Sequence, residues 1–173
     1  ANVIDVGTGT GILAIASIKL GASGVLAVDI EPYAIKAAKI NFQLNGVEKQ
    51  IRIGQGSIEA IPGAKGKHES ASWVIANILA GVLEQLFSDG LGALVQPDGF
   101  LVLSGVLMAQ TPALRACLQD YGFNLVAGQG AFVRPDVLTK LVAQDKIHEW
   151  FIPNLSAGMI AHAPSNSRGK EYT

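Results

Sequence analysis

The stretch "DVGTGTGILAIA", Asp5 to Ala16, decides how the chain is read. It sets Gly7, Gly9 and Gly11 at alternate positions behind an acid and runs directly into an apolar, alanine-rich segment. "VIDVG" (Val3 to Gly7) reads as a buried strand. "GILAIASIKLG" reads as a helix that stops at Gly21, where glycine accepts the left-handed C-terminal conformation. A strand-to-helix turn built of glycines lets a ligand touch the main chain, and the helix that starts there points N–H groups and the positive end of its dipole outward. Carboxylate and phosphate both suit such a turn. A tight turn with no ligand uses the same residues.

Working outward, the pattern of strand and helix repeats. "GVLAVDI" is a second strand ending at Asp29, and "PYAIKAAKINFQLNG" a helix with Pro32 in its first turn. "QIRIGQG" is a third strand, "SWVIANIL" a fourth running to Asn77, and a helix is expected from about Ala80 to Leu94. "PDGFLVLSG" is a turn and a fifth strand, Thr111 to Tyr121 a further helix, and "GFNLVAG" a sixth strand. "HEWFI", preceded by "DVLTKLVAQDK", is read as part of an antiparallel closing pair. Connections long enough for crossovers imply an α/β domain, doubly wound, with a mainly parallel sheet and helices on both faces. Ligands in such sheets bind beyond the strand carboxyl ends, where strand order reverses, which directs attention to Gly7–Gly11, Asp29, Gly56-Ser57 and Asn77.

Composition agrees. The 173 residues suit one domain, 49% are hydrophobic but only 6% aromatic, and 13 basic against 14 acidic residues leave a net charge of -1. No basic patch marks direct nucleic-acid binding, and no apolar run reaches the roughly 18 residues of a membrane span. A single cysteine, Cys117, excludes an internal disulfide framework and fits a reducing, cytoplasmic setting; on an apolar helix face it reads as packing. His68, His148 and His162 are isolated, without metal-ligand spacing, so no metal is expected. Because Ala1-Asn2 lead at once into a strand, residues 1–152 are expected to be a domain truncated at its N-terminus. Residues 153–173, rich in small and polar side chains, are expected to be a poorly ordered tail.

Two cofactors compete for the glycine turn. Gly9-Thr10-Gly11-Ile12-Leu13-Ala14 fits the relaxed dinucleotide pattern that ends in alanine, so a nicotinamide-dependent oxidoreductase fragment stays open. In either case Asp29, 18 to 22 residues beyond the glycines, is placed to grip ribose hydroxyls; its alternative is capping the second helix, for which Glu31 is the better candidate. Asp5 tips the balance. A carboxylate there attracts an ammonium group and repels a pyrophosphate, and S-adenosylmethionine carries that ammonium. Asn77, a polar amide closing an apolar strand, stands where a reacting group would lie, with a helix N-cap as its alternative role.

Taken together, Asp5-x-Gly7-x-Gly9-x-Gly11, "GILAIASIKLGA", "AVDIEPYAIKAAKINFQLNGV", "GSIEAI", "ANILAGVLEQL" and "LSGVLMAQ" resemble the class I S-adenosylmethionine-dependent methyltransferases, in particular the ribosomal protein L11 methyltransferase family. "GILAIA", "NILAG" and "LSGVL", in that order, are the diagnostic pieces. The resemblance implies a Rossmann-like, seven-stranded sheet with its last strand antiparallel. It implies cofactor contacts from Asp5, Gly7, Thr8, Gly9 and Gly11 around the methionine portion, Asp29 on the ribose, and Ser57 and Ile58 near the adenine. It also implies that Asn77 and Leu79 line the site of methyl transfer, with Asn77 catalytic. The implied reaction is methylation of protein amines, lysine side chains and an N-terminal amine, on a large-subunit ribosomal stalk protein. Another substrate, or a truncated remnant without activity, are the alternatives. Relatives carry an N-terminal recognition domain and a glycine- and threonine-rich segment before the first strand. Here the region from Gly128 to Lys146 is longer than the family's hairpin, and Ser72 stands where relatives often have aspartate.

Overall fold

A computed structural model describes residues 1–61, 69–127 and 158–163. Its elements are β1 (Asn2–Val6), α1 (Ile12–Lys19), β2 (Gly24–Asp29), α2 (Pro32–Leu44), β3 (Ile51–Gln55), β4 (Ala71–Asn77), α3 (Ala80–Ser88), β5 (Val95–Ser104), α4 (Thr111–Asp120), β6 (Asn124–Ala127) and β7 (Gly158–His162). The seven strands form one sheet in the order β3-β2-β1-β4-β5-β7-β6. The pairs among β1 to β5 are parallel, and β7 runs antiparallel between β5 and β6. The doubly wound, mainly parallel sheet expected from the alternating pattern is therefore present. Strand order reverses between β1 and β4, so the crevice beyond their carboxyl ends is where a ligand is sought.

Alternation of side chains sorts the core into two layers. Val3, Val25, Ala27, Ile75 and Val102 face α1 and α2, packing on Ala14, Ile18, Ala38 and Phe42. Ile4, Val6, Leu26, Val28, Val74, Ala76, Leu101 and Leu103 face α3 and α4, packing on Leu83, Leu86, Phe87, Leu114 and Leu118. Strands covered on both faces read as apolar runs, which is why "VLAV", "WVIA" and, interrupted only by Asp5, "VIDV" are legible as strands. Trp73 belongs to the first layer and stacks on Phe100 with ring centroids 4.6 Å apart. Among the described residues no helix is long and apolar enough to cross a membrane.

Three expectations are corrected. The helix expected to run from about Ala80 to Leu94 ends at Ser88, because Gly90 takes a left-handed φ of 108° and Leu91–Leu94 continue as a short 3-10 turn. Pro97-Asp98-Gly99, expected as a turn ahead of the fifth strand, lies inside β5 as an irregularity between the pairs Ala71/Val95 and Trp73/Phe100, with Asp98 at φ 61°. Finally, Gly158–His162, inside the stretch expected to be a tail, forms β7. Ala161 is fully buried there, and the run carries little signal in the sequence because it is short and its flanks are rich in proline, serine and asparagine. "HEWFI" and the "DVLTKLVAQDK" segment before it, with His68 and His148, lie outside the described residues.

Candidate active site

The glycine turn joins β1 to α1 at the β1/β4 crevice. Its amides are not all free to meet a ligand. Gly7 and Thr8 both donate to the Val28 carbonyl, at 2.9 and 3.0 Å, and Gly11 donates back to the Thr8 carbonyl at 2.9 Å. These bonds pin the turn onto the end of β2. The glycines are needed for three different reasons. A side chain on Gly7 would strike the Ile78 side chain at 2.8 Å, from the segment after β4. One on Gly11 would strike the Phe42 ring and Ala38 of α2. Gly9, at φ 57°, has nothing within 4 Å of where a Cβ would sit. Only Gly9 therefore turns its bare face to open space; the other two clear room for the protein itself.

Asp5 and Asp29 flank this turn. Asp5 is fully buried, and its Oδ2 accepts a 2.7 Å bond from the Thr8 hydroxyl while Oδ1 has no hydrogen-bond partner. Burial pushes its carboxyl from the ordinary 3.8 up to about 6, against the lowering influence of the Thr8 hydroxyl and the Ala14 amide; the nearby Asp29 charge adds to the rise. Thr8, itself buried, thus serves the acid and holds it in place. Asp29 is 9% exposed. Its Oδ2 accepts from the Gly9 amide at 2.7 Å, its Oδ1 from the Glu31 amide at 2.9 Å, and its carbonyl from the Gly56 amide at 2.8 Å. One residue thereby ties the glycine turn, the start of α2 and the end of β3. Each carboxylate oxygen keeps a lone pair beyond these bonds, which is what a ribose hydroxyl requires. Glu31 occupies the N-cap position of α2, yet its side chain makes no cap bond. The bond from the Glu31 amide to Asp29 ties down the residue ahead of α2 and caps none of the helix's own N–H groups.

Gly56 takes φ 133°, and a side chain there would meet Ala60 at 2.7 Å, so the segment after β3 folds tightly. Ser57 is half-buried and its amide donates to Glu59 Oε1 at 2.8 Å, which holds the exposed Glu59 carboxyl below its usual range. Ile58 is 2% exposed and its side chain packs in the core against the β2 and α3 layer. Any contact it makes with an adenine is therefore a main-chain contact.

At the far side of the crevice, Asn77 ends β4, exposed, and Leu79, 72% exposed, begins α3. The α3 N-cap position is Leu79, without a side-chain cap bond, so the N-cap role weighed for Asn77 is not the one it plays. Asn77 pairs in register with Ser104 of β5, and the Ile78 amide extends that ladder to the Ser104 carbonyl at 3.1 Å. A side chain on the following residue, Gly105, would lie 2.9 Å from Asn77 Oδ1. The glycine is what lets the carboxamide rest there. Sequence reading singled out "LSGVL" for its resemblance but assigned Ser104 and Gly105 no part; the pairing of two distant strands is invisible in the linear order. The described residues contain no group of three or more His, Cys, Asp or Glu able to hold a metal. Cys117, half-buried on α4, packs against the core, and burial raises its thiol.

The arrangement is matched by known proteins. The ribosomal protein L11 methyltransferase (PrmA) family matches residues 1–130. A ribosomal protein L11 methyltransferase of Tolumonas auensis is 44% identical over 113 residues, covering 65% of this chain and 36% of its own length. Its counterpart in Brevibacillus brevis is 40% identical over 125 residues, covering 72% and 38% respectively. The crystal structure of a ribosomal protein L11 methylase from Lactobacillus delbrueckii subsp. bulgaricus superposes with a TM-score of 0.70 at 29% identity, over 94% of this chain and 69% of that one. The chain thus spans little more than a third of the length of those two sequence relatives. On the family-wide match across three quarters of its residues, the chain belongs to the ribosomal protein L11 methyltransferase family.

Proposed function

We propose that the chain binds S-adenosylmethionine at the β1/β4 crevice and forms the catalytic part of a methyltransferase that modifies amines of ribosomal protein L11, the protein named for its relatives. The observation that carries this reading is the pairing of Gly9, open to space, with Asp5, whose buried Oδ1 has no partner. A buried carboxylate oxygen left unpaired costs free energy, and an ammonium group from the ligand removes that cost. The phosphates of a dinucleotide would add to it. The residues present therefore fit the cofactor. Asp5 meets its ammonium, Gly9 admits its methionine portion, Asp29 accepts from its ribose hydroxyls, and the Gly56-Ser57 segment borders its adenine.

When bound, S-adenosylmethionine supplies a methyl group on a positively charged sulfur, already a strong electrophile. The protein's task is orientation and desolvation. The Asn77 carboxamide oxygen accepts an N–H from an uncharged amine and aims the nitrogen lone pair toward the crevice. Leu79, exposed at the crevice's edge, would border the approaching substrate. Asn77 is no base, so the acceptor's ammonium proton would pass to solvent before attack, and the methyl group would reach nitrogen as the cofactor's carbon–sulfur bond breaks to leave neutral S-adenosylhomocysteine.

Titration calorimetry with S-adenosylhomocysteine and with NADH tests the reading. Binding of the first and not the second is expected, and the opposite preference would overturn it. Asn77→Ala is expected to depress methyl transfer far more than affinity for S-adenosylhomocysteine.

A further inference from the structure

Among the described residues, two buried side-chain polar atoms have no hydrogen-bond partner: Asp5 Oδ1 and Ser104 Oγ. Native proteins leave few such atoms, and each one needs a reason. These two share a place. The register of β1 with β4, and of β4 with β5, puts Asp5 level with Ile75 and Val102, and puts Ser104 level with Asn77 two residues nearer the carboxyl ends. By alternation all of them lie on one face of the sheet. One orphan atom thus sits beneath the glycine turn and the other beside the amide at the crevice's opposite wall. Ser104 is 2% exposed, so solvent does not satisfy its hydroxyl.

We propose that Ser104 is a positioning residue that acts through Asn77. This rests on the reading of Asn77 as the group that holds the acceptor amine. A free carboxamide turns about its last torsion and presents oxygen or nitrogen with little preference. Gly105 leaves the space in which that turn happens, since a side chain there would lie against Asn77 Oδ1. With Nδ2 turned to donate to Ser104 Oγ, the Asn77 oxygen is left to accept from the amine, and the orphan hydroxyl gains its partner. An alanine at position 104 removes the preference without touching the cofactor's contacts.

The test uses the chain with ribosomal protein L11 as methyl acceptor, S-adenosylmethionine as donor, and calorimetry with S-adenosylhomocysteine in parallel. Ser104→Ala is expected to lower kcat about tenfold, the loss of one orienting hydrogen bond, while KM for the acceptor changes little. S-adenosylhomocysteine affinity should stay within about twofold, and the melting temperature should change little, because the exposed Asn77 amide can turn to water once the hydroxyl is gone. Ser104→Thr, which keeps the hydroxyl, should recover most of the rate. In an Asn77→Ala background, Ser104→Ala should cause no further loss, since the two act as a unit. A wild-type rate in Ser104→Ala, or independent losses that multiply with those of Asn77→Ala, would overturn the inference while leaving the proposed function standing. A wild-type chain that binds no S-adenosylhomocysteine and methylates nothing would overturn both.

Discussion

Asp5 is buried at the expense of stability, and the sign of that expense can be measured. Its carboxyl titrates near 6 when folded and near 3.8 when exposed, so the folded state holds its proton more tightly. The stabilisation tied to that proton is complete below pH 3.8 and is lost as pH rises through 6, on the order of 3 kcal/mol. Asp5→Asn is therefore expected to unfold at higher urea than wild type at pH 7, with the advantage shrinking toward pH 4. Its affinity for S-adenosylhomocysteine should be weaker, and wild-type affinity should itself decline as pH falls below 6. A stability difference that does not vary with pH would mean the carboxyl is not desolvated. Asp29 differs in that both its carboxylate oxygens accept hydrogen bonds. Asp29→Ala strips acceptors from the Gly9 and Glu31 amides, and a loss of about 1.5–3 kcal/mol for each charge-assisted bond is expected in unfolding experiments, alongside lost cofactor affinity. Lost affinity with unchanged stability would confine Asp29 to the ribose. From sequence, position and charge marked both acids. Their division of labour was not legible, since it depends on Val28, Glu31 and Gly56, which only the fold brings near.

At the scale of elements, the glycine turn separates into clearance for a ligand and clearance for helices. Gly9→Ala is expected to cost only the strain of a left-handed alanine, about 1–2 kcal/mol, yet to abolish S-adenosylhomocysteine binding. Gly11→Ala drives a methyl group into the Phe42 ring and should destabilise the fold by a further 1–3 kcal/mol or so, partly relieved by Phe42→Leu. Thermal melts and calorimetry on the two variants separate these effects; equal losses in both would erase the distinction. In the linear sequence the three glycines look alike. The contacts that distinguish them come from α2, some thirty residues on, and from Ile78, some seventy on. The same limit explains α3. Its apolar spacing was legible and its end at Ser88, ahead of Gly90, was not, because a glycine inside an apolar run is compatible with both a break and a continuation.

For the whole molecule, the parallel half of the sheet was legible because buried strands and amphipathic helices alternate in order along the chain. The antiparallel edge was not. β7 is only five residues, small or apolar apart from His162, and it is held by pairing on both sides, Leu101 with Ala161 on one and Leu125 with Ala161 on the other. Ending the chain at residue 157 should therefore leave β5 and β6 with unpaired edges, and aggregation or loss of cooperative unfolding is the expected result. A truncated chain that melts cooperatively at the wild-type temperature would show that β7 is dispensable.

The seat of β7 between its two neighbours also sets a timetable. As the polypeptide emerges from its N-terminus, the first five strands can find their partners in turn, but the sixth has no neighbour until a segment more than thirty residues later has been made. Until then the nascent domain carries an unfinished margin, and factors that shield bare strands would act during that interval.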